Sequence, residues 1–303
     1  MLKAWKAELL LFFVTFIWGG TFIFTKIGLN DTSPELYVAI RFSIALVIAY
    51  IIFGKHIKGI SRTILFQGLS LGLIFGGGFV LQTEGLKLTT VTKSAFITGM
   101  SVVFTPFVFK IISRRKIQYW QKIGVVIAFL GLWLFTNPNF DSINLGDVIT
   151  LISTVFWAFY IVLMDVFTRG KENFTETVQL VMLQFVSTIA VAFISHLIHY
   201  NLHFEIQITT NLLISFAYNG ILASFLLTFL HTGFQRYTTP VKAALIFSLE
   251  PVVASIAAVY ALNEIMNGRE YTGAIILFSG VMTSELGEFI LTKVKIIFVK
   301  KNN

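Results

Sequence analysis

The feature that most constrains the fold of this chain is a succession of apolar segments, each about 20 residues long, separated by short polar linkers. A helix of about 20 residues spans the ~30 Å hydrocarbon core of a bilayer. Because a lipid-exposed backbone has to satisfy its own hydrogen bonds, such segments adopt helices. We therefore predict an all-α polytopic membrane protein with ten transmembrane helices. Their predicted positions are residues 9–27, 36–53, 64–82, 94–112, 119–136, 147–167, 177–198, 212–234, 242–262 and 271–290.

The composition agrees with residence in a bilayer and speaks against several soluble classes. Of 303 residues, 56% are hydrophobic and 13% are charged, whereas charged residues make up about a quarter of a typical soluble chain. The chain has no cysteine, which removes disulfides, thiolate metal sites and cysteine nucleophiles. The signatures of a P-loop, a zinc protease and a nucleophile elbow do not occur. We therefore expect no enzymatic activity, no cofactor and no metal ion.

The distribution of basic residues explains the net charge of +8. With the N-terminus in the cytoplasm, 18 of the 23 Lys and Arg residues fall on the cytoplasmic side. The five exceptions are Lys26, Arg41, Lys87, Lys93 and Arg269. Such an asymmetry sets the orientation of membrane proteins. It predicts a multi-pass protein of the cell membrane with both termini cytoplasmic, partnered by the lipid bilayer and by no nucleic acid.

An internal repeat relates the two halves of the chain. With an offset of 149 residues, Lys93 matches Lys242 and Val103 matches Val252, and eight identities occur over about 43 gapless positions. Five spans in each half insert the second half in the opposite direction, which is the inverted topology of carriers whose substrate site lies at the repeat interface. We therefore predict two five-helix repeats, residues 1–137 and 138–303.

The ninth apolar segment carries one acidic residue near its middle, Glu250, followed by Pro251. A charge at the bilayer centre costs about 2.5–3.5 kcal/mol on insertion scales, so an acid at this depth indicates a function. Glu250 either exchanges protons with a cavity and couples transport to a proton gradient, or it bonds to a neighbouring helix, with Asn219 as one candidate partner. Pro251 and Pro106 predict bent helices in the two halves, and bent helices indicate the binding site of such carriers.

Polar and aromatic side chains mark the faces expected to line a cavity. Ser94, Thr98, Ser101 and Thr105 recur at helical spacing on one face of the fourth segment. This row forms either a cavity wall or hydrogen bonds between helices. The side chains predicted to face the cavity are Trp18, Phe22, Thr98, Ser101, Trp157, Tyr160, Asn219 and Glu250.

Histidines and glycines form two further patterns. His196, His199 and His203 have the spacing with which one helix face could bind zinc, but we expect a frayed helix end there and no metal. His231 is expected near the cytoplasmic end of the eighth helix rather than at a proton site. Glycines at 68, 72 and 76 of the third segment predict a close approach of two helices.

Three runs of residues resemble a known group of carriers. They are residues 16–22 (FIWGGTF), residues 94–100 (SAFITGM) with Pro106, and residues 249–252 (LEPV) with the closing pair Asn263-Glu264. The chain resembles the EamA-type members of the drug/metabolite transporter superfamily over nearly its whole length. The resemblance implies a ten-helix inverted-repeat carrier with a central cavity, and export of metabolites or amino acids in many members. Arg114-Arg115 replaces the usual closing Gly-Glu of the first half. We therefore do not assign the substrate of any family member to this chain.

The expected function is export of small organic metabolites, such as amino acids, by alternating access. A single central acid among aromatic residues suits a zwitterionic solute. Arg41 and Lys93 are expected near the outer ends of their helices, where they could guide an anion. Phosphorylated or nucleotide-linked solutes are therefore the alternative. A polytopic membrane enzyme would need a cluster of acids or histidines at one membrane face, and a regulator would move no solute at all. The sequence carries no signal for an oligomeric state.

Overall fold

The computed structural model describes residues 4–136, 143–262 and 267–301, and within these ranges it is helical, with no β-strand. Thirteen α-helices occur: α1 (Ala4–Gly28), α2 (Pro34–Phe53), α3 (Arg62–Leu88), α4 (Val91–Gly99), α5 (Ser101–Ser113), α6 (Tyr119–Thr136), α7 (Leu145–Thr168), α8 (Phe174–Tyr200), α9 (Thr210–Phe216), α10 (Leu227–Phe234), α11 (Pro240–Phe247), α12 (Glu250–Leu262) and α13 (Gly268–Lys301). A π-helix, Ala217–Leu226, joins α9 to α10. The all-α class is therefore confirmed.

Seven helical stretches of the described residues are long and apolar enough to cross a membrane, and Tyr119–Phe135 is a shorter apolar helix. The seven are Ala4–Gly28, Pro34–His56, Arg62–Leu88, Val91–Ser113, Leu145–Thr168, Phe174–Tyr200 and Thr210–Tyr237. The ninth and tenth predicted segments correspond to α11 with α12 and to α13. The predicted seam between the halves, at residues 137–141, and the pair Asn263-Glu264 lie outside the described residues.

Glycines set the spacing of the longest helix pairs. α3 packs along both α7 and α8, and α6 packs along α13. A Cβ atom at Gly72 of α3 would lie 2.6 Å from the carbonyl oxygen of Gln184 in α8, and one at Gly124 of α6 would lie 2.7 Å from the carbonyl oxygen of Gly280 in α13. Because real Cβ atoms do not approach so closely, these helices meet backbone to backbone.

The fourth and ninth spans are each interrupted. The fourth breaks at Met100 (φ −63°, ψ −7°), between α4 and α5, and the ninth breaks at Ser248 (φ −64°, ψ −9°) and Leu249, between α11 and α12. Pro251 is the second residue of α12, so the carbonyl of Phe247 lacks its helical donor at the point where α11 ends. Pro106 lies inside α5, more than one turn after the break at Met100.

We expect Gly72→Ala to lower the stability of the purified protein by about 1–3 kcal/mol, because the added methyl group forces α3 and α8 apart. Gly233→Ala is the matched control, since a Cβ atom at that helical position meets no other atom within 4 Å. The measurement is the thermal unfolding midpoint of both variants in detergent. Equal midpoints would show that the close approach of α3 and α8 is not required.

Candidate functional site

A central cavity lies between the interrupted spans and the helices around them, with an empty volume of about 520 Å³ including its mouth. Its lining combines an aromatic wall with two charged side chains and several hydroxyl and amide groups. The lining residues are Trp18, Thr21, Arg41, Phe79, Gln82, Thr98, Ser101, Trp157, Tyr160, Ile161, His231, Phe247 and Glu250. Six of the eight side chains predicted to face a cavity therefore line this one.

Two tryptophans from equivalent positions anchor the aromatic wall. Trp18 of α1 meets Phe247 edge to face, with ring centroids 5.1 Å apart. Trp157 of α7 meets Phe79 in the same way at 4.8 Å. The indole Nε1 of Trp157 is buried and has no hydrogen-bond partner among the described residues. It is therefore a donor available to a solute in the cavity.

The basic pole of the cavity is Arg41, which sequence reasoning placed near the outer end of the second helix. The structure buries it, with 2% of the residue exposed, in the cavity wall. Its guanidinium lies over the ring of Phe79 at 4.7 Å, and its Nε donates to the Ser224 hydroxyl at 2.9 Å. Its Nη2 has no hydrogen-bond partner within the described part of the chain. Arg41 and Trp157 therefore both contact Phe79, and each has one donor without a partner among the described residues.

The acidic pole is Glu250, the first residue of α12, which is 9% exposed and lines the same cavity. Among the described residues it forms neither a hydrogen bond nor an ion pair. The N-terminus of α12 supports a negative charge at this position through the helix dipole. Ser101, the equivalent residue of the first half, begins α5 and also lines the cavity. The break of each span therefore delivers one polar side chain to the solute.

The hydroxyl row of the fourth span combines both of its possible roles. Thr98 lines the cavity and accepts a hydrogen bond from the amide of Gln82 at 2.9 Å. Thr105 donates to the carbonyl of Ser101 at 2.7 Å, within its own helix. Gln82 was missed in the sequence because a lone amide in an apolar helix has no spacing pattern. Its link to Thr98 holds α3 against α4.

Two predicted cavity residues lie elsewhere. Phe22 is buried beside Leu86 and Ala95, on another side of α1. Asn219 lies in the π-helix and donates to the hydroxyls of Tyr37 at 2.5 Å and Thr25 at 3.1 Å. Asn219 is therefore not the partner of Glu250 and belongs to the contact between the eighth span and α1 and α2.

His231 lies near the end of the span Thr210–Tyr237, as the sequence predicted, and it is also buried in the cavity wall. Its ring meets Trp18 at 5.3 Å and Tyr160 at 5.5 Å between centroids, and its Nε2 is bonded to Gln235. The sequence shows the helical spacing of His231 and Gln235. It does not show their position relative to the cavity, because that position depends on where the span begins.

Two charged clusters, which we call the first and second latch, join the repeats. In the first latch, Lys93 of α4 lies 3.3 Å from Asp147 of α7, and the hydroxyl of Thr89 donates to the same carboxylate. In the second latch, Lys242 of α11 lies 3.3 Å from Glu8 of α1, and the hydroxyl of Thr238 donates to Glu8 at 2.8 Å. Both threonines and both lysines are related by the offset of 149 residues.

The latches lie at opposite ends of the bundle. Lys26, near the end of α1, donates to the carbonyl of Thr89 in the first latch at 2.8 Å, whereas Glu8 of the second latch lies near the start of α1. The α1 helix covers about 27 Å between these positions at 1.5 Å per residue. One latch therefore lies on each side of the central cavity.

The three histidines of α8 and its C-terminal loop do not converge on one site. His196 is hydrogen-bonded to Ser33 at 3.2 Å, whereas His199 contacts Glu35 at 2.6 Å. Together with Glu84, His199 and Glu35 offer three ligand atoms that lie within 4.8 Å of one another. This trio could hold a cation, but the zinc arrangement considered in the sequence, with three histidines on one face, does not form.

The described helices and the charged cavity between them define a multi-pass membrane protein of the transporter class. The sequence model of the EamA-like transporter family matches residues 5–137 and 144–284. The chain therefore belongs to the EamA-like transporter family, as its resemblance predicted.

Relatives and a solved structure agree with this assignment. An uncharacterized transporter of Archaeoglobus fulgidus is 29% identical over 94% of this chain and 87% of its own length. A probable amino-acid metabolite efflux pump of Escherichia coli is 24% identical (93% and 95%), and an S-adenosylmethionine uptake transporter of Rickettsia prowazekii is 23% identical (79% and 78%). A solved crystal structure has a TM-score of 0.74 at 14% identity, covering 94% of this chain and 98% of that one. These names indicate metabolite transport rather than enzymatic chemistry.

Asn219→Ala tests the placement of Asn219. We expect a stability loss of about 1–3 kcal/mol, because the buried hydroxyls of Tyr37 and Thr25 lose their donor. The thermal midpoint in detergent measures the loss, with the exposed Ser279→Ala as control. An unchanged midpoint together with weakened substrate binding would instead show that Asn219 faces the cavity, as the sequence predicted.

Proposed function

We propose that this protein is a carrier of small zwitterionic metabolites, such as amino acids, and that it works by alternating access. The observation that carries the proposal is the pair of unmatched charges in one cavity. Arg41 and Glu250 line the same space, and neither has an oppositely charged partner among the described residues. A solute with a carboxylate and an ammonium group satisfies both poles at once.

The carboxylate of the solute binds at the basic pole. A guanidinium forms directional, charge-assisted hydrogen bonds with carboxylates, and Arg41 is pre-oriented by Ser224 and by its stacking on Phe79. The Nε1 donor of Trp157 adds a further contact. The ammonium group faces Glu250, and the aromatic wall packs on the remaining apolar part of the solute.

The cavity favours a zwitterion over the alternative of a phosphorylated or nucleotide-linked solute. A phosphate group would meet one cation, Arg41, and one anion, Glu250. Lys93, which the sequence offered as a second anion-binding residue, is held by Asp147 in the first latch. The two relatives named for a substrate concern an amino-acid metabolite and S-adenosylmethionine, and both contain an amino-acid group.

The proposed architecture is ten transmembrane helices in two inverted repeats, residues 1–137 and 138–303. Three observations support it. The family model matches each half once. The fourth and ninth spans break at Met100 and Leu249, which the offset of 149 makes equivalent. The helix contacts also follow the repeat. Exchanging the two halves turns the contact of α3 with α7 into that of α10 with α1, and it leaves the contacts of α2 with α8 and of α6 with α13 unchanged.

Alternating access follows from the two latches. Lys93–Asp147 closes one end of the cavity and Lys242–Glu8 closes the other, and the structure has both closed. Opening an end of the cavity exposes the separated charges of its latch to water, which offsets the loss of the ion pair, so either latch can open without unfolding the bundle. We place the protein in the cell membrane with both termini cytoplasmic, which puts the first latch outside and the second inside.

Glu250 is the proposed coupling residue. A proton and the ammonium group of the solute compete for the same carboxylate, so each turnover exchanges one for the other. Such an exchange drives export against a gradient when protons enter. Export is the direction we propose, in line with the relative named an efflux pump.

Counterflow in proteoliposomes tests the substrate class. We expect saturable exchange of an amino acid by the wild-type protein and at least a tenfold loss of affinity in Arg41→Gln, the equivalent of one charge-assisted hydrogen bond of about 1.5–3 kcal/mol. Glu250→Gln should retain exchange at reduced affinity but lose accumulation driven by a pH gradient. Tyr50→Phe, an exposed change away from the cavity, is the control. Exchange of phosphorylated solutes alone, or of no solute by folded protein, would refute the proposal.

Cysteine labelling tests the latches. Because the chain has no cysteine of its own, any labelled thiol of the protein is the introduced one. Thr21→Cys places a thiol in the cavity wall. We expect Asp147→Asn to increase its reaction with an impermeant thiol reagent added outside, and Glu8→Gln to decrease it, because each change opens one end. Asn30→Cys, in an exposed turn, should react equally in both backgrounds. Equal labelling of Thr21→Cys in the two would contradict the latch assignment.

A further inference from the structure

A second cavity lies on the outside of the bundle, between α5 and α6. It has an empty volume of about 1500 Å³ including its open side. Its walls are apolar and include large side chains that point away from the core, such as Phe107, which is 65% exposed. The apolar lining consists of Val103, Pro106, Phe107, Ile117, Val125, Val126, Phe129 and Leu130. In a bilayer, this groove faces the acyl chains.

One end of the groove carries a rim of exposed basic residues. They are Lys110, Arg114, Arg115, Lys116 and Lys122, and no Asp or Glu occurs between residues 103 and 130. Arg115 lies 3.5 Å from Asp165, and the other four form no ion pair with described residues. Four cations around one apolar groove therefore lack a counter-charge among the described residues.

Helix capping explains only part of this rim. Lys110 and Arg114 lie at the C-terminal end of α5, where the helix dipole favours cations. Lys122 instead lies in the first turn of α6, where the dipole disfavours a cation. The left-handed conformation of Arg114, with φ of 51°, is a common way for a helix to end. Lys122 is therefore the cation whose position helix capping leaves unexplained, and an external anion at the rim would account for it.

We propose that the groove binds an anionic phospholipid, with its phosphate at the basic rim and its acyl chains along the apolar walls. Basic pockets between membrane helices bind anionic headgroups in this way. A free phosphate would use the rim but not the apolar walls, whereas a zwitterionic lipid would use the walls but gain little from four unpaired cations. The combination of both surfaces selects an anionic lipid.

The site also connects to the second latch, a consequence that rests on the proposed function. Arg115 reaches from the rim to Asp165, which also pairs with Arg169. Arg169 donates to the carbonyl of Thr238, whose hydroxyl bonds Glu8. A headgroup that draws Arg115 away from Asp165 therefore acts on the residues that close that end of the cavity.

Native mass spectrometry of the purified full-length protein tests the binding directly and requires no transport. Delipidated protein is mixed with phosphatidylglycerol or phosphatidylcholine of matched acyl chains. We expect one phosphatidylglycerol to bind at least tenfold more tightly than phosphatidylcholine. In Arg114→Gln/Lys116→Gln/Lys122→Gln this preference should vanish, because three basic residues at roughly fivefold each contribute more than the expected tenfold.

Lys55→Gln/Lys58→Gln/Arg62→Gln removes the same charge from the α2–α3 loop, away from the groove, and should keep the preference. If the rim variant aggregates, Lys116→Gln and Lys122→Gln are measured singly, each with an expected fivefold loss. An equal loss in the two triple variants would refute the site. Displacement of the lipid by millimolar glycerol 3-phosphate would identify an anion site without a lipid groove and would also overturn the proposal.

Discussion

The constraint on which this structure depends is the cost of burying a charge in a low-dielectric interior, which is offset only when the charge has a partner. Most buried charges of the described residues meet it. Asp147 and Lys242 are held in the latches, Asp165 by Arg169, and Glu35 by His199. Arg236 is buried without an ion pair, but it donates to oxygen atoms of Lys171, Thr177 and Thr232. Arg41 and Glu250 also lack an ion pair among the described residues, and both line the central cavity. Two such charges of opposite sign in one cavity are the basis of the zwitterionic solute that we propose.

Backbone irregularities place these groups. A continuous helix would bond its own polar backbone atoms and present side chains at one fixed pitch, whereas the break before Glu250 lets α12 begin inside the cavity with a carboxylate at its N-terminus. The π-helix from Ala217 to Leu226 positions polar side chains of the eighth span in the same way. Ser224 accepts a hydrogen bond from Arg41, and Asn219 donates one to Tyr37. Wide turns of this kind are frequent at functional sites. The irregular segments therefore help to position the two charges, while regular helices supply most of the cavity lining.

These irregularities also explain what the sequence could predict. Apolar length predicts the spans, and helical spacing selected Thr98 and Ser101, because these properties depend on local chemistry. Whether Arg41, His231, Phe22 and Asn219 face the cavity depends on how neighbouring helices rotate, and a periodic pattern does not contain that rotation. The sequence shows part of the latches, since Thr89 and Thr238 are related by the same offset of 149 residues as Lys93 and Lys242. Their acids do not share that offset, because Glu8 and Asp147 are separated by 139 residues, as Trp18 and Trp157 are.

The position of the two charges suggests how solute binding and closure are linked. Arg41 belongs to the second helix of the first repeat and Glu250 to the ninth span, in the second repeat. Under the proposed function, a zwitterion that contacts both would therefore bridge the interface between the two halves of the chain. Without a solute, water would stabilise the same two charges, and it would enter when a latch is open. Closure of both ends would then become favourable when the solute replaces that water, so the charges that we propose to select a zwitterion would also limit leakage through an empty cavity.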